Sequence, residues 1–107
     1  MSSRSISTIR IVEFLEKKNH GAIVIDIRTP EEIQHGKIAG ALEMDCSEID
    51  FQVAVEKLDP SKSYLLYCRS GYRSGEALKL FQHLNFQDVH DLSGGIGEWV
   101  RTGNMLR

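Results

Sequence analysis

The sequence predicts an α/β fold of three layers, in which a mostly parallel central sheet has helices on both faces. Two observations support this prediction. Short apolar runs alternate along the chain with segments whose apolar residues recur at helical spacing. The run from Ala22 to Ile27 is interrupted only by Asp26, which is typical of a strand buried on both faces. A chain of 107 residues is long enough for one domain with its own hydrophobic core.

The first elements are predicted from local composition. Residues 1–7 are polar and are expected to be frayed, with a short edge strand around residues 5–7 as an alternative. Helical spacing predicts a first helix at about residues 9–18, and the sequence Asn19-His20-Gly21 is a stop signal. The buried strand at residues 22–27 follows this stop.

Thr29 is predicted to begin the second helix. Its hydroxyl suits the N-cap position, and Pro30 suits the first helical position. Glu32 stands three residues after Thr29 and completes the pattern of a capping box. This short helix is expected to end near His35 and Gly36.

The middle of the chain continues the alternation of strands and helices. Residues 38–44 are predicted to form a turn and a short strand. Ser47 is predicted to cap a third helix over about residues 48–58, which stops before Pro60. The apolar and aromatic run at residues 64–67 predicts the next strand.

The last third of the chain supplies two more helices and a strand. The fourth helix is expected to end at Asn85, and its apolar face has four residues at i, i+3, i+4 and i+7 spacing: Ala77, Leu80, Phe81 and Leu84. Residues 87–92 are predicted to form a strand, and Gly94-Gly95 a turn. A final short helix is predicted to pack through Ile96, Trp99 and Val100 and to end at Gly103.

Cys68 is the candidate nucleophile. It follows the strand at residues 64–67 and begins a loop that contains two arginines, two serines and a glycine. The helix after this loop begins with unpaired N–H groups and a positive dipole end, so a curled loop here can hold an anion. We therefore expect the Cys68 thiol to have a lowered pKa and to be a thiolate at neutral pH. The competing interpretation is an inert buried cysteine.

The other loop residues are candidates for binding an anionic substrate. Arg69 lies next to the nucleophile and is interpreted as the group that attracts the anion. Arg73 either does the same or holds the loop by pairing with a carboxylate. Ser70, Gly71 and Tyr72 are expected to contribute backbone N–H groups, and Gly71 also permits a conformation that other residues resist. Tyr72 either forms a pocket wall or is simply exposed.

Three further residues are expected to support the site: Ser74, Asp26 and Arg28. Asp26 is expected to accept backbone N–H bonds at its strand end, and Arg28 to pair with Glu32 across the next turn. A direct catalytic role for Asp26 or Arg28 is the alternative. Because the carboxyl ends of parallel strands meet at one edge of a sheet, Asp26 and Cys68 are predicted to lie at the same site.

The remaining residues with reactive or ligating side chains give weaker signals. Cys46 lacks an arginine-rich loop and is expected to be a packing residue rather than a resolving thiol. Trp99 is expected in the core. Most of the four histidines are expected at the surface: His20, His35, His83 and His90. The sequence has no His/Cys spacing of a metal site, so neither a metal nor a cofactor is expected.

Composition limits the partners and the compartment. The formal net charge is -2 and the pI is near 6.1, which provides no overall basic field for nucleic acid. The sequence has no apolar run long enough to span a membrane. The first residues lack the apolar core of a signal peptide, and two cysteines do not suggest a disulfide framework. The expected location is therefore the cytoplasm, where thiols stay reduced.

Four segments together resemble the single-domain rhodaneses, the thiosulfate or persulfide sulfurtransferases. They are Val24–Glu32, Gly36–Ala41, the loop Cys68–Ser74, and Leu92–Gly95 followed by Trp99. Their order and spacing resemble the family over nearly the whole chain, which implies that residues 1–107 form a single rhodanese-like domain. The sequence departs from the family pattern at Lys37 and Ala39, where histidine and proline are usual, and this puts the local turn in doubt.

The resemblance implies a sulfurtransferase that acts through a Cys68 persulfide. It would move a sulfane sulfur from a small anionic donor, thiosulfate or polysulfide, to cyanide, a thiol or a protein acceptor. The alternative is a non-catalytic binding or sulfur-carrier module that acts with a protein partner. A cysteine phosphatase is disfavoured, because four residues separate Cys68 from Arg73, whereas the related phosphatases have one more.

Overall fold

The structure is a computed structural model that describes residues 4–107. Strands and helices alternate along these residues. In chain order the elements are β1 (Ser5–Ile9), α1 (Ile11–Asn19), β2 (Ile23–Asp26), α2 (Pro30–Ile33), β3 (Leu42–Glu43), α3 (Phe51–Glu56), β4 (Ser63–Tyr67), α4 (Tyr72–His83), β5 (Asp88–Leu92) and α5 (Gly95–Arg101).

The strands form one parallel sheet in the order β1-β5-β4-β2-β3. The predicted parallel sheet is therefore confirmed. Strand β4 lies at its centre, with Asp26 of β2 in register with Tyr67 and Asp91 of β5 in register with Leu66. This register brings Asp26 and Asp91 to the same edge of the sheet as Cys68, which directly follows β4.

Two hydrophobic cores lie on opposite faces of the sheet, as expected for three layers. Alternate residues of β4 supply the two faces, because side chains along a strand point to opposite sides. One core contains Tyr64 and Leu66 with apolar residues of α3 and α4, and the other contains Leu65 and Tyr67 with residues of α1 and α5. Trp99 is in the second core, as predicted.

The N-terminal segment follows the second of its two predictions. Residues 5–7 belong to β1, an edge strand of the sheet, so the expected edge strand is confirmed there and the expected fraying is not; residues 1–3 lie outside the described residues. Strand β1 pairs with β5 and continues to Ile9, whose carbonyl accepts a hydrogen bond from Ser93 N–H. Helix α1 therefore begins at Ile11 rather than at residue 9.

The predicted capping box of α2 is confirmed. Thr29 Oγ1 accepts a hydrogen bond from Glu32 N–H, and Glu32 Oε1 accepts one from Thr29 N–H. The corresponding prediction for Ser47 is wrong. The N–H and hydroxyl of Ser47 both donate to Asp45 Oδ1, and α3 begins at Phe51 after this local turn.

Within residues 4–107, no helix has the length and apolarity needed to cross a bilayer.

Candidate active site

Cys68 lies directly after β4 and is 1% exposed. The loop that follows curls back, so that its sulfur accepts hydrogen bonds from the N–H groups of Gly71 at 3.1 Å and Ser74 at 3.4 Å. Gly71 has a φ of +104°, a conformation that a residue with a Cβ rarely adopts. The expected conformational role of Gly71 is thus confirmed, and the loop places the sulfur at the N-terminus of α4.

The surroundings of Cys68 lower the pKa of its thiol, the direction that the sequence predicts. Burial raises this pKa, because it disfavours the thiolate. Hydrogen bonds from Ser74, Gly71 and Ser70 favour the thiolate and outweigh burial. Among residues 4–107, the N–H group of Tyr72 makes no hydrogen bond to the sulfur. The N–H group of Ser74 donates to the sulfur in the place that was expected for the N–H group of Tyr72.

Arg73 pairs with the carboxylate of Glu32. Its Nη1 and Nη2 donate to Oε1 and Oε2, each at 2.8 Å. This pairing lowers the pKa of Glu32 to about 2 and raises the pKa of Arg73 above its ordinary value. Of the two roles left open for Arg73, the structure therefore shows the pairing that holds the loop.

Asp26 and Arg28 form a buried ion pair beneath the same edge of the sheet. Arg28 Nη2 lies 2.8 Å from Asp26 Oδ2, and the Arg28 N–H donates to Asp26 Oδ1. Tyr67 Oη donates to Asp26 as well, and accepts a hydrogen bond from Ile38 N–H. The expectation that Arg28 pairs with the Glu32 carboxylate is wrong, because Arg28 contacts only the main-chain oxygen of that residue.

Arg69 has an exposed side chain whose guanidinium makes no hydrogen bond or ion pair within residues 4–107. It lines a cavity of about 420 Å³ together with Arg28 and His35. Apolar side chains form another part of the lining: Ile96, Val100 and Leu106. An unpaired cation next to the nucleophile is available to bind an anionic group.

Tyr72 and Cys46 line a second cavity, of about 310 Å³, together with Phe51 and Leu80. Tyr72 is 77% exposed, which leaves both of its expected roles open. Cys46 packs against the core that contains Cys68, and burial raises the pKa of the Cys46 thiol. A neutral, packed thiol agrees with the expectation that Cys46 is a packing residue.

Comparison with known proteins identifies the family. Residues 11–102 match the family model described as rhodanese-like domain. The chain belongs to this family. A sulfurtransferase of Allochromatium vinosum is 35% identical over 81 residues, which cover 76% of this chain and 74% of that protein. The probable adenylyltransferase/sulfurtransferase MoeZ of Mycobacterium tuberculosis is 36% identical over 78 residues, but this chain spans only 20% of its length.

Solved structures agree with the family assignment. The crystal structure of a rhodanese-related protein from Thermoplasma volcanium superposes with a TM-score of 0.83 at 26% identity, covering 94% of this chain and 97% of that one. The resemblance to rhodaneses and the α/β fold are therefore confirmed.

In this rhodanese-like domain, the start of helix α5 forms hydrogen bonds to the backbone of the loop that carries the nucleophile. Ile96 N–H donates to the Cys68 carbonyl at 2.8 Å, and Gly97 N–H donates to the Arg69 carbonyl at 3.2 Å. A Cβ on Gly95 would lie 2.5 Å from the Cys68 carbonyl oxygen. The sequence predicts only a turn at Gly94-Gly95, and this close approach to the loop is a role that sequence reasoning missed.

Asp91 is a buried residue near the site that sequence reasoning also missed. Its Oδ2 accepts a hydrogen bond from the Ser74 hydroxyl at 2.7 Å, and its Oδ1 accepts one from the Thr8 hydroxyl at 2.5 Å. The Ser74 oxygen is in turn 3.5 Å from the Cys68 sulfur. A charged residue at the end of an otherwise buried strand is the signal that could have indicated Asp91.

Of the four histidines, His90 is buried, at 2% exposure. Its ring nitrogens face the hydroxyls of Ser5 and Ser7 and the carboxylate of Asp88. The parallel pairing of β1 with β5 supplies these hydroxyls. The other three histidines are exposed, as expected.

Proposed function

We propose that this rhodanese-like domain is a sulfurtransferase that carries a sulfane sulfur as a persulfide on Cys68. The observation that carries the proposal is the position of the Cys68 sulfur, which faces the N–H groups of Gly71 and Ser74 at 3.1 and 3.4 Å. These donors stabilise an anionic sulfur, and both the thiolate and the persulfide are anions at neutral pH. The sulfurtransferase relatives support the same reaction class.

In the first step, the Cys68 thiolate attacks the outer sulfur of thiosulfate or of a polysulfide. A new S–S bond forms to Cys68, the donor S–S bond breaks, and sulfite or a shortened polysulfide leaves with the bonding electron pair. Arg69 binds the anionic end of the donor, because its guanidinium is exposed and unpaired within the described residues 4–107. Since Cys68 is 1% exposed, loop side chains have to move aside for the donor.

In the second step, cyanide or a thiolate attacks the outer sulfur of the Cys68 persulfide. The acceptor leaves with that sulfur, as thiocyanate or as a persulfide, and Cys68 returns as a thiolate. The N–H donors of Gly71 and Ser74 bind the anion before and after the transfer. A reducing compartment such as the cytoplasm suits this cycle, because Cys68 has to remain a free thiol.

A sulfur-carrier module that passes sulfur to a protein partner is the second candidate. Two observations favour it: the exposed ring of Tyr72 beside the partly apolar cavity at the loop, and the occurrence of a similar domain within a much longer relative. A cysteine phosphatase is not proposed. Four residues separate Cys68 from Arg73, one fewer than in the related cysteine phosphatases, which require a wider loop for a phosphate.

Steady-state turnover tests the proposal. Thiosulfate with cyanide and polysulfide with a small thiol are compared on the unmodified chain, Cys68→Ser and Cys46→Ala. We expect turnover with at least one pair, its loss in Cys68→Ser, and activity within about twofold of the unmodified chain in Cys46→Ala. Turnover of Cys68→Ser that matches the unmodified chain contradicts the proposal. Absence of turnover with small acceptors, with a persulfide still formed on Cys68, favours the carrier module.

A further inference from the structure

The cavity of about 310 Å³ lies on the Tyr72 side of the cysteine loop and is mostly apolar. Its other apolar lining residues are Cys46, Phe51, Ala77 and Leu80. Two charged residues also line it, and each is engaged by an opposite charge. Arg73 pairs with Glu32. Glu76 pairs with Lys79. Within residues 4–107, the lining of this cavity therefore offers no unpaired cation to a small anion such as thiosulfate.

Residues 46–51 form part of the rim of this cavity, because Cys46 and Phe51 at their two ends both line it. The N–H group of Phe51 donates to the carbonyl of Glu48 at 3.1 Å, which closes a tight turn with Ile49 near its tip. The side chain of Ile49 is fully exposed. The apolar surface at the cysteine loop thus extends beyond the cavity itself.

The same part of the chain is strongly acidic. Residues 43–56 contain five acidic residues and no lysine, arginine or histidine, whereas the whole chain has 15 acidic residues against 13 lysines and arginines. Glu48 and Asp50 flank Ile49 and are exposed, and neither forms an ion pair within residues 4–107. An exposed apolar surface next to the nucleophile is therefore bordered by a local negative field.

We propose that this surface docks a protein sulfur acceptor that carries basic residues around its cysteine. Ile49 and the 77% exposed Tyr72 both stand outside the cavity, so contact with both requires a body larger than a small thiol. The acidic rim repels thiosulfate, nucleic acid and anionic membranes, and it attracts a basic protein surface. Basic residues also lower the pKa of a neighbouring thiol, which makes the acceptor cysteine a thiolate nucleophile.

The docking surface rests on the proposed function in taking the Cys68 persulfide as the source of sulfur. The acceptor thiolate attacks the outer sulfur of this persulfide and forms a new S–S bond to it. The bond from that sulfur to Cys68 breaks, and its electron pair remains on Cys68 as a thiolate. The two sides of the loop then have different uses, because Arg69 lines the cavity proposed for the anionic donor and Tyr72 lines the cavity proposed for the acceptor.

Peptide binding tests this surface without any transfer of sulfur. The probe is a labelled lysine-rich peptide that contains leucine and has serine in place of cysteine, and fluorescence anisotropy measures its Kd at low ionic strength. We expect Glu48→Lys combined with Asp50→Lys to weaken binding by at least about tenfold, because like charges then face each other. Added salt should weaken binding to the unmodified chain. A matched peptide with glutamate in place of lysine should not bind.

The control is Glu13→Lys combined with Glu16→Lys, which changes the net charge by the same amount. Both residues are exposed on α1, which packs on the opposite face of the sheet from α4. We expect this control to bind the lysine-rich peptide within about twofold of the unmodified chain, since salt screens distant charges. Equal weakening in the two double variants would show that only overall charge attracts the peptide, and it overturns the proposal. Failure of this peptide to bind the unmodified chain also overturns it.

Ile49→Ser tests the apolar part of the surface. Because Ile49 is fully exposed, its replacement leaves the fold intact. We expect binding of the lysine-rich peptide to weaken about fivefold, through loss of apolar contact area, and Val12→Ser on α1 to have no such effect. Unchanged affinity in Ile49→Ser contradicts the proposal. A dimer of the unmodified chain that Ile49→Ser dissociates in sedimentation would assign the surface to a second copy instead, and also overturns it.

Sulfur transfer separates the docking surface from the proposed function. The cysteine form of the lysine-rich peptide and neutral mercaptoethanol are compared as acceptors from the Cys68 persulfide. We expect the ratio of the two rates to fall about tenfold in Glu48→Lys combined with Asp50→Lys, and an unchanged ratio overturns the docking surface. A chain that binds the peptide as described but forms no persulfide would refute the proposed function, while the binding result still supports the surface.

Discussion

Arg73 and Glu32 join the start of α4 to the capping box of α2 through two parallel hydrogen bonds, Nη1 to Oε1 and Nη2 to Oε2, each 2.8 Å long. Glu32 thus has two roles, because its Oε1 also accepts the N–H of the N-cap residue Thr29. The pair holds the loop that carries Cys68 against the segment that follows β2.

The first prediction is that Glu32→Gln lowers the free energy of unfolding at neutral pH by about 1–2 kcal/mol, since the ion pair is only partly exposed. The pKa of Glu32 is lowered to about 2 in the folded chain from an ordinary value of 4.5. Its contribution is therefore complete above pH 4.5 and is lost as the pH falls towards 2. Urea unfolding of both proteins measures the difference.

The matched control for Glu32→Gln is Glu76→Gln, which breaks an exposed pair with Lys79. Because this pair is exposed, the control is expected to leave stability unchanged within the error of the measurement at any pH. The difference between the unmodified chain and Glu32→Gln should shrink as the pH approaches 2. A difference that stays constant over this range would show that the ion pair is not its cause.

Signals confined to a few residues predict the local structure of this chain. The capping box needs only Thr29, Pro30 and Glu32, and the structure confirms it. Cys68 follows a continuous apolar run, which places it at the carboxyl end of a strand. The prediction that Ser47 caps the third helix also rests on a local signal, and it is wrong. The hydroxyl and the N–H group of Ser47 donate to the nearby carboxylate of Asp45 instead.

Contacts between distant segments are beyond what these patterns determine. Arg73 and Glu32 are 41 residues apart, so the sequence does not indicate that they pair. Arg28 has the carboxylates of Asp26 and Glu32 nearby in the sequence, and the sequence alone does not determine which of them it pairs with. Asp91 meets Thr8 only because β1 adds to the sheet next to β5 in one particular register. The sequence patterns leave both the strand order and this register undetermined. The partners of the charged groups near the site could therefore be identified only from the structure.

The second prediction concerns the buried pair of Asp26 with Arg28. Asp26→Ala is expected to lower the free energy of unfolding by about 3–5 kcal/mol, because it leaves the Arg28 guanidinium buried without its counter-charge. The control, Glu43→Ala, breaks an exposed pair with Lys37 and should cost less than about 1 kcal/mol. Equal losses for the two variants in urea unfolding would contradict the importance assigned to burial.

The third prediction is that Gly95→Ala disrupts the cysteine loop. Its new Cβ would lie 2.5 Å from the Cys68 carbonyl oxygen and 2.7 Å from that of Arg69, so the backbone has to move. Gly103→Ala is the control, since it also has a positive φ but meets no atom within 4 Å. We expect Gly95→Ala to lose most sulfur transfer and Gly103→Ala to retain it. Similar thermal stability and activity in both variants would refute the close approach.

The fourth prediction is that Arg69→Ala raises the KM for thiosulfate about tenfold at low ionic strength, as expected for loss of one charge-assisted hydrogen bond. The KM of the unmodified chain should rise with added salt more steeply than that of Arg69→Ala. Lys62→Ala removes an exposed cation at the opposite edge of the sheet and serves as the control. Equal salt dependence in Arg69→Ala and the unmodified chain would exclude Arg69 as the donor-binding residue.

The central claim is that Cys68 carries the transferred sulfur, and intact-mass spectrometry tests it most directly. Cys46→Ala, in which Cys68 is the sole cysteine, is incubated with thiosulfate or polysulfide and then desalted. We predict the added mass of one sulfur atom, its removal by cyanide, and no added mass on a variant in which Cys68→Ser is combined with Cys46→Ala. A protein with a confirmed free thiol that acquires no sulfur from either donor would contradict the account.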